Sequence, residues 1–227
     1  GSLSVYAASV VSFNGDPNLR VTGFAAYING VNLVRNGYNN SGFFQSQNSP
    51  VSSELHIANS NIIATSDIVK GAKPQIFAFS TDAEMTVTLK NCLVASGKNL
   101  IHNDENSTNT KSTITFEDCR IVGSLATTDE TMSVILKGKN LLAEAPAANV
   151  KFEGVCGVTT DVADADKSLA LSLYYNTYSE WTETVDFNQP EQKKTFTFAY
   201  VTGHTYGEWT VTTPVKCTEN GEETREC

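Results

Sequence analysis

A chain of 227 residues with 40% apolar composition is long enough to bury a substantial core, as one long domain or as a domain with a small appendage. Its 16 Lys and Arg stand against 25 Asp and Glu, a net charge of −9 that argues against a nucleic-acid groove and against docking on an anionic membrane surface. No apolar run reaches the ~18 residues of a bilayer-crossing helix, so no membrane insertion is expected.

Charged residues make only 18% of the chain while Thr, Ser and Asn are abundant, a balance that points to an exported β-rich protein. Gly1-Ser2 reads as a cloning remnant, and an export signal is expected to have been trimmed ahead of it. The apolar and β-branched stretch from Leu3 to Phe13, ending at the turn Asn14-Gly15-Asp16-Pro17, reads as the first strand, an N-terminal cap or an additional repeat unit.

From Ala26 to Phe152 one short phrase recurs six times: apolar, any, apolar, any, Asn/Asp/Gly, small or apolar, any, apolar. Its second apolar positions are Ile28, Ile57, Leu89, Phe116, Leu136 and Phe152, and its bend residues are Gly30, Asn59, Asn91, Asp118, Gly138 and Gly154. Side chains two apart share a face of a strand, so each phrase predicts a strand, a bend and a second short strand. One such unit cannot bury its own apolar face, whereas copies laid against each other can. The steps between phrases, 29, 32, 27, 20 and 16 residues, are too uneven for a helix-containing repeat of fixed length. A parallel β-helix tolerates them, because loops of any length can bulge from its corners, as the polar stretch His102 to Ser112 is expected to do. In that arrangement Cys92 lies above Cys119, and Asn59, Asn91 and Asp118 line up as a polar ladder at the bend.

"VTLKNCLV" at Val87 to Val94 and "ITFEDCRIV" at Ile114 to Val122 resemble coils of the right-handed parallel β-helix proteins related to pectate lyases. The resemblance covers roughly 26–158 and implies an all-β right-handed solenoid of about six coils. It implies no single function, since lyases, hydrolases, tailspikes, adhesins and passive stalks share the architecture.

Past Val158 the pattern changes. Asp161, Asp164 and Asp166 read as a polar turn, since their spacing fits neither an EF-hand nor a β-roll calcium loop. Ser168 to Tyr178 suits a strand or a short helix, and the alternation Leu169, Leu171, Leu173 favours the strand. "KTFTFAYV" at Lys194 to Val201 is a clear strand expected to close the open end of the repeat array. The last stretch places His204, Tyr206, Trp209, Pro214, Cys217, Gly221, Arg225 and Cys227 in a pattern that resembles a short repeat near the C-termini of large surface proteins of anaerobic gut Firmicutes. That repeat usually continues Cys-x-x-Cys-Gly from its last cysteine, so a longer parent polypeptide is expected. The predicted organisation is 1–158 β-helix with N-terminal cap, 159–202 end-capping strands and 203–227 the start of a Cys-containing module.

Candidate sites are few. The Asn-Thr-Asp, Asp-Asp and Gly-His-Gly motifs that the resemblance would require of a hydrolase do not occur, and Asp67, Asp104, Glu105 and Arg120 read as solvated charges. No catalytic residue, metal site or cofactor is therefore assigned. Cys92, Cys119 and Cys156 read as small buried hydrophobes, and His56 as an outward residue between Leu55 and Ile57. Cys217 and Cys227, with His204, would supply three metal ligands, but a Cys217–Cys227 disulfide, if the chain is exported, or free thiols are favoured over a metal. Tyr174, Tyr175, Tyr178 and Trp181 form the densest aromatic cluster: it either caps the end of the core or stacks on sugar rings, and it is the candidate ligand site. The expected function is an exported cell-surface structural or adhesive domain that binds a polysaccharide or host glycan. The alternative is a lyase or hydrolase of acidic polysaccharide.

Overall fold

The computed structural model describes residues 2–4, 11–14, 24–35, 44–47, 52–64, 67–68, 76–80, 84–103, 111–127, 132–167, 171–175, 177–178, 192–204, 208–218 and 220–224. These contain 24 strands and one helix, numbered in chain order. The first sheet holds β3 (Phe24–Asn29), β6 (Ser53–Ala58), β10 (Met85–Lys90), β13 (Thr113–Glu117), β15 (Ser133–Lys137) and β17 (Lys151–Glu153), all parallel and adjacent in that order. In its register Ile28, Ile57, Leu89, Phe116, Leu136 and Phe152 lie side by side. The six-fold phrase is thus a row of neighbours in space.

The second sheet runs β1 (Ser2–Ser4), β4 (Asn32–Arg35), β7 (Asn61–Ala64), β11 (Leu93–Asn99), β14 (Arg120–Ser124), β16 (Leu141–Leu142), β22 (Tyr200–Gly203) and β18 (Gly157–Thr159). The third, also parallel, joins β2 (Val11–Asn14), β5 (Phe44–Gln47), β9 (Phe77–Ser80) and β12 (Ile101–Asn103). From β3 to β13 the chain visits first, second and third sheets in turn, apart from the two-residue β8 (Asp67–Ile68). From β13 to β18 the described strands alternate between the first two alone, in step with the shorter last steps of the repeat. This all-β architecture of long parallel sheets is compatible with the expected β-helix.

Each phrase bends at a residue of positive φ: Gly30 (67°), Asn59 (50°), Asn91 (53°), Asp118 (55°), Gly138 (67°) and Gly154 (69°). Glycine reaches this region without cost, and Asn and Asp are the side chains that enter it most readily. After the bend, the next side chain of three phrases reaches back to the carbonyl that precedes the bend. Ser60 Oγ donates to Ala58 O at 2.6 Å, and the Cys92 and Cys119 thiols donate to Lys90 O and Glu117 O, both at 3.2 Å. The same thiols approach Ile57 O and Leu89 O on the neighbouring strand, at 3.6 and 3.5 Å. Asn140 ends this file: its amide donates to Lys137 O (2.9 Å) and Phe116 O (3.2 Å), and its Oδ1 accepts from Cys119 N (2.9 Å). Ser60, Cys92, Cys119 and Asn140 thus form a buried polar file that adds a side-chain bond to Ala58 O, Lys90 O, Glu117 O and Lys137 O, each of which also accepts a backbone N–H from the neighbouring strand. Cys92 and Cys119 are buried free thiols, as expected; a hydrogen bond to Cys92, together with burial, pushes Cys119 up and holds it protonated.

Inward residues of all three sheets meet in one core that includes Leu55, Ile57, Val87, Leu89, Ile114, Phe116, Val134 and Leu136. Phe44 and Phe77 of the third sheet stack at 5.6 Å, and Phe77 meets Phe116 edge-on at 6.5 Å. A second cluster, Ala95, Val122, Leu141, Val162 and Phe198, lies where the C-terminal residues return.

Three expectations change. The described residues of Leu3 to Phe13 fall in two strands rather than one: β1 and β2 enter two different sheets, each parallel to the next strand of its sheet, β4 and β5, the placement of an additional repeat unit, which is the alternative expectation. "KTFTFAYV" also divides, into β21 (Gln192–Phe196), which pairs antiparallel with β19 (Leu171–Tyr175), and β22, which pairs antiparallel with both β16 and β18. The break lets Phe198 sink into the second cluster while Ala199 N reaches Leu142 O at 3.0 Å. The Asp-rich turn is a single helical turn, α1 (Asp164–Lys167), with Asp166 paired to Lys139 and Asp164 to Lys167. β22 lies between β16 and β18, so β18 is the last strand of the second sheet, and β22 is tied to the repeat by side chains: Asn140 N donates to Thr202 Oγ1 (2.7 Å), whose hydroxyl donates to Gly138 O (2.6 Å).

Candidate functional site

The outer face of the first sheet is set by the residues between the buried ones. Its middle row is Tyr27, His56, Thr88, Thr115 and Ile135, in register across β3, β6, β10, β13 and β15. Strand spacing is close to the stacking distance of two rings, and Tyr27 and His56 use it: their centroids lie 4.9 Å apart with planes 13° from parallel. His56 Nε2 is held 3.2 Å from Glu54 Oε2, two residues earlier on the same face. Tyr27 is 76% exposed. Among the described residues no strand lies beyond β3 in this sheet, so the ring faces outward from its edge.

Beside this row the charges alternate and pair. Lys90, Glu117, Lys137 and Glu153 are successive neighbours, with Lys90 bound to Glu117 at 2.5 Å and Lys137 to Glu153 at 2.8 Å. Each lysine is raised above its ordinary pKa, first by the hydrogen bond to its glutamate and then by the charge itself. Carboxylates on the face thus sit apart, on β6, β13 and β17, each answered by a nearby basic group. Hydroxyls of Thr86, Thr88, Thr113 and Thr115 fill the space between. Such a face presents one aromatic plate, donors, acceptors and little net charge.

The polar ladder at the bend forms in part. Asn59 Nδ2 donates to Asn29 Oδ1 (2.9 Å) and Asn91 Nδ2 to Asn59 Oδ1 (3.4 Å), but Asp118 turns away to accept from Lys139 N at 2.8 Å. Its carboxylate fills the space over Gly138, where a Cβ would collide with Asp118 Oδ1.

Of the aromatic cluster, Tyr174 and Tyr175 belong to β19, opposite Lys193 and Gln192, and Tyr178 belongs to β20 (Thr177–Tyr178), which pairs with β8; Trp181 lies outside the described residues. Asp104 and Glu105 also lie outside them. Cys217 is exposed and its thiol is free; Cys227, the other residue of the expected pair, lies outside the described residues. Cys156 is half-buried and disulfide-bonded rather than a small core hydrophobe, because it stands at the margin of the second sheet beside His204. Among the described residues no group of three or more His, Cys, Asp or Glu is placed to hold a metal ion, and no helix is long and apolar enough to cross a membrane. Comparison with protein-family models, curated proteins and solved structures gives no match.

Proposed function

We propose that the chain is a right-handed parallel β-helix of about six coils, exported to the cell surface, that acts as a non-catalytic adhesive platform and binds glycan on the outer face of its first sheet. The division into 1–158, 159–202 and 203–227 belongs to the same reading. The observation that carries it is Tyr27, an exposed ring stacked on His56 at the end of a hydroxyl-lined face. An aromatic plate takes the apolar side of a sugar ring, while neighbouring carboxylate, imidazole and hydroxyl groups answer its OH groups. Lys90 and Lys137 of the face are already paired with glutamates, while Lys151, next to Ile135 in the row, donates to Ser133 Oγ at 2.9 Å.

The test is binding of the chain to plant, mucin and bacterial glycans, with reducing-end and unsaturated-product assays on every ligand retained. Binding without turnover is expected, and Tyr27→Ala weakens it about tenfold or more, equivalent to about 1.4 kcal/mol. Turnover would replace this reading with the lyase or hydrolase alternative. Loss of binding in Tyr174→Ala but not in Tyr27→Ala would move the site to the Tyr174, Tyr175, Tyr178 and Trp181 cluster.

A further inference from the structure

Cys92 and Cys119 hold the same position in successive repeats, inside the array and away from the outer face of the first sheet. Lys90 lies opposite Glu117 and Leu93 opposite Arg120, and Asn91 and Asp118 bend alike, at φ 53° and 55°. The two cysteines are therefore neighbours on parallel courses, and Arg120 N donates to Cys92 O at 2.8 Å. Strand spacing sets their Cα atoms about 4.8 Å apart, inside the range of roughly 4.4–6.8 Å that a disulfide spans. Their Cβ atoms need to close by only about 0.3 Å. The Cys119 sulfur already leans to Leu89 O on the strand before Cys92, at 3.5 Å, so the Cys92 side chain alone has to turn, from Ile57 O at 3.6 Å. Giving up the thiol hydrogen bonds orphans no carbonyl, since Lys90 O and Glu117 O also accept from Asn59 N (2.9 Å) and Asn91 N (3.0 Å). Ser60 and Asn140 hold the flanking places of the polar file, so within it the two sulfurs can join only each other.

We propose that Cys92 and Cys119 are an oxidation site: hydrogen peroxide joins them as a disulfide that staples the third repeat to the fourth. Peroxide suits the place because it is hardly larger than water and both sulfurs are buried. The Cys119 thiol donates to Cys92 and draws it below the ordinary thiol range, which favours the nucleophilic thiolate. The Cys92 sulfur attacks one oxygen of the peroxide, the O–O bond breaks, and the other oxygen leaves as water with the Cys92 proton, giving a sulfenic acid. The Cys119 sulfur then attacks the Cys92 sulfur. The S–S bond forms, the S–O bond breaks, and the hydroxyl leaves as a second water with the Cys119 proton. Two thiols are oxidised and one peroxide is reduced to two waters. No charge is left behind, and a neutral S–S bond suits an apolar core.

The experiment treats the folded full chain with hydrogen peroxide, blocks the remaining thiols with iodoacetamide in denaturant and maps the tryptic peptides without reduction. Cys217→Ser is carried throughout, to remove the exposed free thiol. The expected product is residues 91–98 joined to residues 112–120, lighter by two hydrogens than the two peptides and separated by a phosphine. With Cys119→Ser added, Cys92 is expected to stop at the sulfenic acid and take up dimedone. Peroxide applied to the chain unfolded in guanidinium is expected to give at least about tenfold less of the bridge, because only the fold holds the two sulfurs together. The proposal is overturned if both cysteines of the folded chain are recovered alkylated, if Cys92 passes to a sulfinic acid without joining Cys119, if Cys119→Ser yields no dimedone adduct on Cys92, or if the unfolded chain forms the bridge as readily. Far-ultraviolet circular dichroism of each variant separates loss of the pair from loss of fold.

Discussion

Strands β10 and β13 of the first sheet and β23 (Thr210–Thr213), which pairs with β24 (Glu222–Thr224) in a terminal hairpin, are alike in Thr content and opposite in fate. In β6, β10, β13 and β15 alternate residues are buried, and each strand is held from both sides. Every residue of the hairpin strands is exposed, including Val211 at 55%. Intrinsic strand preference is alike in β10, β13 and β23; what differs is the number of copies. A lone pair of strands has nothing to bury its apolar side against, whereas each strand of the sheet borrows a core from its neighbours.

Substitution breaks this comparison hardest in the buried row. Leu89→Asp places a carboxylate among Ile57, Phe116 and their neighbours and is expected to cost about 4 kcal/mol or more in denaturant unfolding, against about 1 kcal/mol or less for Lys90→Asp one position along. Equal tolerance of the two would show that the register of the sheet is wrong. Asn140→Leu comes next: it leaves Lys137 O, Phe116 O and Cys119 N without their side-chain partner, for an expected loss of about 3 kcal/mol. A melting temperature unchanged by that variant would mean the buried corner does not depend on its polar file.

Smaller effects sharpen the contrast. At Asn91, φ +53°, a β-branched side chain is strained and a glycine is not. Asn91→Val should destabilise by about 1–2 kcal/mol while Asn91→Gly stays close to the parent, as chemical denaturation of the two will show. In the hairpin, Val211→Thr should alter global stability by no more than about 0.5 kcal/mol, since the side chain is exposed before and after. A larger drop there would mean the hairpin has a partner surface.

Much of the first sheet is legible in the sequence, because the phrase carries period two and a bend in the same eight residues. The inward row from Ile28 to Phe152 follows from aligning the six phrases, and so do the left-handed bends. The proposed binding face is legible too, though less openly: Tyr27 and His56 occupy the same "any" position of successive phrases, so the alignment that stacks Ile28 on Ile57 also stacks the two rings. The third sheet is not legible in this way. Its strands, such as Phe77–Ser80, are short and lie outside the phrase, and only tertiary contact with Phe116 gives them a place. Nor is the division of "KTFTFAYV", whose alternation runs through the point where the chain leaves one sheet for another. Pairing of cysteines depends on which strand margins meet, and Cys156 faces His204 only because β22 returns antiparallel from 48 residues away.

That return imposes an order in time. A chain emerging from its N-terminus can lay β3, β6, β10, β13 and β15 against one another as each is released. The rung after them stays unfinished, because the hydroxyl that receives the Asn140 amide belongs to Thr202, 62 residues further on. Synthesis halted between the two would leave an ordered array with a raw end, and completion of the fold is a late event decided by a single short strand.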